Sequence, residues 1–371
     1  MSPRNDQRLG DQDGTLNVVP GVEQPPPVSM GQVERIRKAR RRRLSAREYI
    51  DGILSGQRAV LAQAITLVES LRPDDSELAL EILEACLPHT GESVRVGITG
   101  VPGVGKSTFI EALGSHLTRE RHEKVAVLAI DPSSQKTKGS ILGDKTRMEK
   151  LANDEDAFIR PSPSGGSLGG IARRTRETML LCEAAGFRNV LIETVGVGQS
   201  ETAVAGMVDF FLLLMLAGAG DELQGMKRGI MEMSDLIAIN KADGSNRQKA
   251  QAARREYESA LHLFPPSETG WSPKVVTCSA VKNEGIAGIW TTVLDHRRHM
   301  RERGLLEQRR QDQARQWMHE VIEQELQTKF LNDPAVKSTL ETFERSVAEG
   351  RISSFRAAKV LLEVHQNGNK K

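Results

Sequence analysis

The segment from Gly100 to Thr108 has the residue types and spacing best suited to chemistry. It reads GVPGVGKST, fits the pattern GxxxxGK[ST], and lies between the apolar run VRVGIT and FIEALGSHL. Glycines let backbone N–H groups turn toward phosphate oxygens, the lysine reaches the β- and γ-phosphates, and the serine hydroxyl can bind magnesium. A structural Gly-rich turn is the alternative, which the flanking strand and helix patterns disfavour. We predict a nucleotide-phosphate site formed by Gly100, Val101, Pro102, Gly103, Val104, Gly105, Lys106, Ser107 and Thr108.

Carboxylates follow two of the later apolar runs. Asp131 ends VAVLAID, and Glu193 lies near the end of NVLIET. Ligands of an open α/β sheet collect at the carboxyl ends of its strands, so both acids are expected to face the phosphate loop. Asp144, in the Gly-bounded segment GSILGDKTRM, is a third candidate, and a helix N-cap is the alternative for Asp131. We predict that catalysis involves Lys106, Glu193 and Asp131, and that magnesium is bound by Ser107, Asp131, Asp144 and Glu193.

A second set of polar residues is suited to reading guanine. The run DLIAI is followed by Asn240, Lys241 and, two positions later, Asp243. A carboxylate accepts hydrogen bonds from the ring N–H and the exocyclic amine of guanine, whereas adenine presents an acceptor in place of that ring N–H. A polar turn is the alternative. The run KVVTCSA then offers a backbone amide for the guanine carbonyl oxygen, so we predict GTP rather than ATP, bound by Asn240, Lys241, Asp243, Ser279, Ala280 and Val281.

The elements that must position these residues are short apolar runs separated by helix-length segments. The runs are VRVGI, VAVLAID, NVLIET, DFFLLLML, DLIAIN and KVVTCSA. Nearly continuous apolar strands are buried on both faces, which indicates a largely parallel sheet with helical crossovers. Ser45 and Glu48 fit a capping box that starts an N-terminal helical segment. The predicted fold class is therefore α/β, a P-loop nucleotide-binding domain with helical segments before and after it.

The chain divides by composition into four expected parts. Residues 1–44 are rich in Pro, Gly, Asn and Asp and hold the basic run RKARRRR, so we expect a disordered basic tail. The run could contact RNA, acidic lipid or an acidic partner, but no aromatic residues interleave with it, which favours a solvated stretch. Residues 45–90 are predicted to be helical, 91–294 to form the nucleotide-binding domain, and 295–371 to form charged helices.

Bulk composition indicates a soluble globular protein. Hydrophobic residues make up 38% of the chain, charged residues 27%, and the net charge is +2, so general binding to nucleic acid or membrane surfaces is not expected. Cys86, Cys182 and Cys278 are far apart and lack CxxC spacing, so we expect reduced thiols near apolar faces. No apolar secretory segment or membrane-length run is present, and a cytoplasmic location is predicted.

Long blocks of the chain resemble the MeaB family, which includes the methylmalonic aciduria type A proteins. The blocks include VGITGVPGVGKSTFIEALG, AIDPSSQKTKGSILGDKTRM, IETVGVGQSE and LAGAGDELQGMKRGIMEMSDLIAINKADG, and the resemblance runs from about Ala46 to the carboxyl end. It implies a homodimeric, magnesium-dependent GTPase that acts as a chaperone for an adenosylcobalamin-dependent acyl-CoA mutase, usually methylmalonyl-CoA mutase. The C-terminal helices would then build the dimer, with a simple cap on the domain as the alternative.

The same resemblance identifies GAGDELQGMKRG as a third switch. It implies that Asp221, Gln224 and Lys227 signal to the mutase. From the residues alone, a Gly-rich polar segment after a buried strand favours a loop that switches, and a solvated loop is the alternative.

Catalysis and competing functions are less sharply indicated. Many GTPases place a water-orienting glutamine where this chain has Val197, with Gln199 two positions later, so we expect slow intrinsic hydrolysis that a partner accelerates.

One alternative function is that of a metallocentre-assembly GTPase, although HRRH at 296–299 is interpreted here as an exposed helix face. Others are a kinase associated with amino-acid transport, for which no HRD…N signature is present, and an RNA-binding regulator.

Overall fold

The computed structural model describes residues 43–70, 72–130, 148–161, 168–194, 200–218 and 228–368. The chain divides into two units, residues 1–44 and Ser45–Lys371, and the elements given below belong to the second. Five predicted site residues lie outside the described ranges: Asp131, Asp144, Asp221, Gln224 and Lys227.

The N-terminal helical segment consists of α1 (Ala46–Leu54), α2 (Arg58–Val68) and α3 (Pro73–Cys86), followed by a 3₁₀ turn at Leu87–His89. The predicted capping box is confirmed at the start of α1. The Ser45 hydroxyl accepts a hydrogen bond from the Glu48 amide at 3.3 Å, and the Glu48 carboxylate accepts one from the Ser45 amide at 2.8 Å. These helices bury an apolar face that includes Ile53, Leu61, Ile65 and Ile82.

A parallel sheet forms the centre of the fold, as the apolar runs predict. Its strands are β1 (Val94–Gly100), β2 (Val125–Ile130), β3 (Ala157–Arg160), β4 (Asn189–Thr194), β5 (Phe210–Leu216), β6 (Leu236–Asn240) and β7 (Lys274–Thr277). Within the described residues the order is β3-β2-β4-β1-β5-β6-β7. Because β1 lies between β4 and β5, Ile98 pairs with both Glu193 and Leu212. This order places the carboxyl ends of β4 and β5 beside the loop that follows β1.

One strand was not predicted. β3 is only Ala157–Arg160, pairs with β2 alone, and is followed directly by Pro161. Its last residue, Arg160, forms an ion pair with Glu69 at the end of α2. A run this short, ending in a charge, carries too little apolar periodicity to be distinguished from a loop.

Helices cover both faces of the sheet. They are α4 (Lys106–Arg119), α5 (Glu149–Ala152), α6 (Leu168–Ala184), α7 (Ser200–Ala205), α8 (Arg228–Met233), α9 (Arg247–Leu261) and α10 (Ile286–Glu302). One apolar core joins alternate strand residues to Phe109 and Leu113 of α4 and Trp290 of α10. A second core joins the opposite strand residues to Ala250 and Tyr257 of α9. The arrangement confirms the predicted α/β fold class.

The C-terminal region consists of α11 (Leu305–Asn332), α12 (Pro334–Ala348) and α13 (Ser354–Gly368). The Asp333 carboxylate caps α12 by accepting the Ala335 amide at 2.8 Å. The expected domain boundary at residue 294 falls inside α10, and the four-part division of the chain stays a prediction. In the described part of the chain, no helix combines the length and apolarity that crossing a membrane requires.

Two sequence interpretations concern single residues of the core. The prediction that the cysteines lie at apolar faces is confirmed, since Cys86, Cys182 and Cys278 are all buried with free thiols. The interpretation of HRRH as an exposed helix face is wrong for His296, which is 1% exposed. Its ring packs edge-on against Phe210. Burial lowers the pKa of His296 to about 4, because the charged imidazolium is poorly solvated there.

Candidate functional site

The phosphate loop spans the gap between β1 and α4. β1 ends at Gly100 and α4 begins at Lys106. Gly103 and Gly105 have φ angles of 76° and 91°, in the left-handed region that side-chain-bearing residues rarely adopt. The loop therefore turns directly onto the amino terminus of α4, where unpaired amides and the helix dipole favour a bound phosphate.

Lys106 lies across this loop. Its ammonium donates hydrogen bonds to the carbonyl oxygens of Gly100 at 2.8 Å and Val101 at 3.4 Å. Burial lowers the pKa of Lys106 below its usual value, while the carboxylates of Glu193 and Glu201 oppose that shift. The loop thus holds a partly desolvated cation at the position where the nucleotide phosphates are predicted to bind.

The structure brings two of the four predicted magnesium ligands together. The Ser107 hydroxyl, in the first turn of α4, donates a hydrogen bond to Glu193 at 3.1 Å, and Glu193 lies at the end of β4. The neighbouring Thr194 and Thr99 hydroxyls are 2.8 Å apart, which joins β4 to β1 at the same level. Hydroxyl and carboxylate oxygens are the ligands that Mg²⁺ prefers, so this pair fits the ion.

The predicted guanine-binding segments are attached to the phosphate loop. Asn240, at the end of β6, donates from its side-chain amide to the Val104 carbonyl oxygen at 2.8 Å and accepts the Ala280 amide at 3.1 Å. Lys241 donates to the Gly103 carbonyl oxygen at 2.8 Å. One side chain therefore fixes the distance between the two segments that would hold the base and the phosphates.

Asp243 is oriented by the second segment. The Ser279 hydroxyl donates to one carboxylate oxygen of Asp243 at 2.5 Å. The loop behind them is closed by the Ala242 amide, which donates to the Cys278 carbonyl oxygen at 2.9 Å. A carboxylate has lone pairs for several donors, so Asp243 held in this way can still accept two N–H groups of guanine. Val281, the last predicted residue of this segment, is exposed.

Two residues near the site escaped sequence reasoning. Glu201 is buried in the first turn of α7, close enough to Lys106 to affect its pKa. Acidic residues are common in the first turn of helices in general, so the sequence gives no indication that Glu201 belongs to the site. The Cys278 thiol lies 3.6 Å from the Asn240 side-chain oxygen, and nothing in the spacing of the cysteines indicates this contact. Among the described residues, no cluster of His, Cys, Asp and Glu is arranged to hold a metal ion on its own.

Comparison with known proteins indicates one family. A family model described as "Methylmalonyl Co-A mutase-associated GTPase MeaB" matches residues 61–335, most of the chain. The GTPase ArgK of Escherichia coli is 53% identical over 279 residues, covering 75% of this chain and 84% of that protein. The mitochondrial methylmalonic aciduria type A homolog of Mus musculus is 46% identical over 326 residues, covering 85% of this chain and 78% of that protein.

A solved structure gives the same result for the fold. The crystal structure described as a LAO/AO transport system kinase is 42% identical, with a TM-score of 0.69, and the match covers 86% of this chain and 97% of that one. The family match and the identities to curated relatives are mutually consistent, and they confirm the resemblance found in the sequence blocks. The chain belongs to the MeaB family of methylmalonyl-CoA mutase-associated GTPases.

Proposed function

We propose that this protein binds GTP with magnesium, hydrolyses it to GDP and phosphate, and uses that cycle as a chaperone of an adenosylcobalamin-dependent acyl-CoA mutase. The proposed client is methylmalonyl-CoA mutase, whose adenosylcobalamin loading the protein would gate and whose activity it would protect or restore. The observation that carries the GTP assignment is the Asp243–Ser279 pair, together with the bridge from Asn240 to the phosphate loop.

Each described residue of the site has a role in this proposal. The amides of Gly103 to Thr108 and the Lys106 ammonium would bind the β- and γ-phosphates. Magnesium, when bound, would neutralise charge that develops on the phosphate oxygens, and Ser107 and Glu193 would hold it. Glu193 also accepts the Ser107 hydroxyl, so it keeps that oxygen directed toward the ion's position. Asp131 and Asp144 stay predicted ligands, and Asp131 a predicted catalytic residue.

The partner assignment rests on the family and on the proposed third switch. The family name associates these GTPases with methylmalonyl-CoA mutase. β5 ends at Leu216, and Asp221, Gln224 and Lys227 follow it in the chain. A parallel strand delivers the residues after it to the ligand edge of the sheet, so a switch that follows β5 would be placed to respond to the nucleotide. We propose that these three residues face the mutase.

The C-terminal region is proposed to bind a second copy of the chain. Met318, Ile322 and Leu326 are spaced four residues apart on α11 and are all exposed, so they form one apolar stripe, called here the α11 stripe. The protein is proposed to act in the cytoplasm as this homodimer.

Two measurements test the proposed function. Binding of GTP and ATP is compared by competition, and products are followed with labelled nucleotide; GTP preference and release of free phosphate are expected, whereas phosphate transferred to a protein would indicate a kinase. Purified methylmalonyl-CoA mutase is then tested for complex formation with a GTP analogue, with GDP and without nucleotide. Complex formation that does not differ among the three states would contradict the proposed chaperone cycle.

A further inference from the structure

One face of α11 holds the segment between α7 and β5. The Trp317 indole N–H donates to the Gly206 carbonyl oxygen at 3.2 Å, and the Gln313 side-chain amide donates to the Val208 carbonyl oxygen at 2.9 Å. Residues four apart on a helix lie on the same face, so both bonds come from one surface of α11. Their acceptors lie directly after the last residue of α7, Ala205.

The other end of α7 follows β4, whose Glu193 accepts the hydrogen bond from Ser107 at the start of α4. Glu201, in its first turn, is 4% exposed and, with Glu193, is one of two carboxylates in the described residues whose charge acts on Lys106. The helix is also packed closely on the sheet: a Cβ atom added at Gly97 of β1 would lie 2.7 Å from Cγ1 of Val204. α7 is only Ser200–Ala205, so its two ends are less than two helical turns apart, and a contact that holds Gly206 also restrains Glu201.

Gln313 is a poor choice for a residue that only fills space. Its side chain is buried, and its Oε1 atom has no hydrogen-bond partner among the residues that the structure describes. A buried oxygen without a partner lowers stability, and methionine has nearly the same length without that cost. The amide is explained by the bond that its other end makes, to the Val208 carbonyl oxygen.

We infer that Gln313 and Trp317 are positioning residues for GTP hydrolysis, which they affect by fixing the carboxyl end of α7, the helix that follows β4 at the edge of the sheet where the nucleotide is proposed to bind. The inference rests on the proposed GTPase activity. It assigns α11 a role in the reaction in addition to any role in association, because the α11 stripe lies on a different face of the helix from Gln313 and Trp317.

The test compares Gln313→Met and Trp317→Phe, which remove the donor and keep most of the volume, with Gln316→Met as the matched control. Gln316 is exposed and contacts Glu320 of the same helix. Single-turnover GTP hydrolysis in the full-length chain is expected to slow about 3- to 10-fold in the first two variants, with GTP affinity within about 2-fold of wild type. The melting temperature of each variant is measured beside the rate, so that loss of rate can be compared with loss of stability.

Hydrogen exchange supplies a second readout. In wild type and Gln316→Met, a GTP analogue is expected to slow amide exchange in residues 305–320 relative to GDP, and in Gln313→Met this difference is expected to disappear. Equal hydrolysis rates in Gln313→Met, Trp317→Phe and the control, or rates that fall only in proportion to stability, would overturn the inference. A wild-type protein that releases no phosphate would instead refute the proposed GTPase activity itself.

Discussion

Asp243 and Ser279 form the contact on which the proposed base selection depends, with the serine hydroxyl 2.5 Å from the carboxylate. Replacing Asp243 with Asn exchanges an acceptor for a donor. We expect Asp243→Asn to weaken GTP binding by about 100-fold or more and to favour xanthosine triphosphate, whose base has a carbonyl where guanine has the amine. Competition against a fluorescent GTP analogue measures both changes.

The matched control for that variant is Glu284→Gln. Glu284 is exposed in the neighbouring loop and pairs with Arg247. Its substitution is expected to leave the nucleotide preference unchanged. If Asp243→Asn also kept its preference for GTP over ATP, the guanine-binding role of Asp243 would be wrong.

The half-buried Asp235 and the buried His296 have pKa values that are shifted in opposite directions. Burial raises the pKa of Asp235 to about 6 and lowers that of His296 to about 4, and their closest side-chain atoms are 3.5 Å apart. Arg309, Asp209 and, for His296, His299 act on them as well. Because the folded state binds the Asp235 proton more tightly than the unfolded state, protonation of Asp235 stabilises the fold. This stabilisation is complete below the unfolded-state pKa and is lost as pH rises through about 6. The folded state favours the neutral imidazole of His296, and the resulting stabilisation is complete above pH 6.5 and is lost as pH falls through about 4.

Single substitutions should therefore change the pH dependence of the unfolding free energy in opposite directions. Between pH 6.0 and 4.5, we expect the unfolding free energy of Asp235→Asn to fall, and that of His296→Gln to rise, by about 2 kcal/mol each relative to wild type. Urea unfolding at several pH values within that interval measures the difference. Parallel pH profiles in the two variants and the wild type would show that the pair does not titrate as stated.

At the scale of elements, Arg310 anchors α11 to the nucleotide-binding domain. Its guanidinium donates to both carboxylate oxygens of Asp209, at 2.8 and 2.6 Å, and to the Ser93 carbonyl oxygen at 2.8 Å. Burial alone would raise the pKa of Asp209, but its bonds with Arg310 and the charge of Arg95 outweigh burial and lower it. The carboxylate therefore stays ionised in the interior only because its partners are present.

Removing that partner should be costly. We expect Arg310→Ala to lower the free energy of unfolding by about 3–5 kcal/mol, because the buried Asp209 carboxylate loses its ion-pair partner and two hydrogen bonds. Arg315→Ala is the control, since Arg315 pairs with Asp312 on the exposed side of the same helix, and a change below about 1 kcal/mol is expected there. Urea unfolding of both variants gives the comparison; equal losses would contradict the anchoring role.

Helices and strands could be predicted where a short stretch of sequence holds a capping or apolar pattern. The capping box at Ser45 and the apolar runs of β1 and β5 depend on residues close together in the chain, so they could be predicted. β3 lacked such a pattern. The burial of His296 also could not be predicted, because Phe210 and Trp271, which pack against it, are distant in sequence.

At the scale of the whole molecule, the α11 stripe determines the proposed association. We expect Ile322→Glu to convert the proposed homodimer into a monomer at micromolar concentration, because a charge cannot be buried unpaired in an apolar interface. Analytical ultracentrifugation measures the mass. Gln327→Glu, exposed on another side of α11, is the control and should stay dimeric. A monomeric wild type, or a dimeric Ile322→Glu variant, would show that the stripe is not the interface.

The amino-acid sequence by itself determined the buried strands and the family, and it predicted the phosphate loop and the guanine-reading residues, since each is encoded by residue types at short fixed spacings. Only the tertiary structure decided which distant segments meet. Asn240 reaches Val104, Ser107 reaches Glu193, and Gln313 reaches Val208 across gaps of about a hundred residues. The physical reason is that such contacts follow from the order of strands in the sheet and the packing of helices on it, which no local spacing specifies.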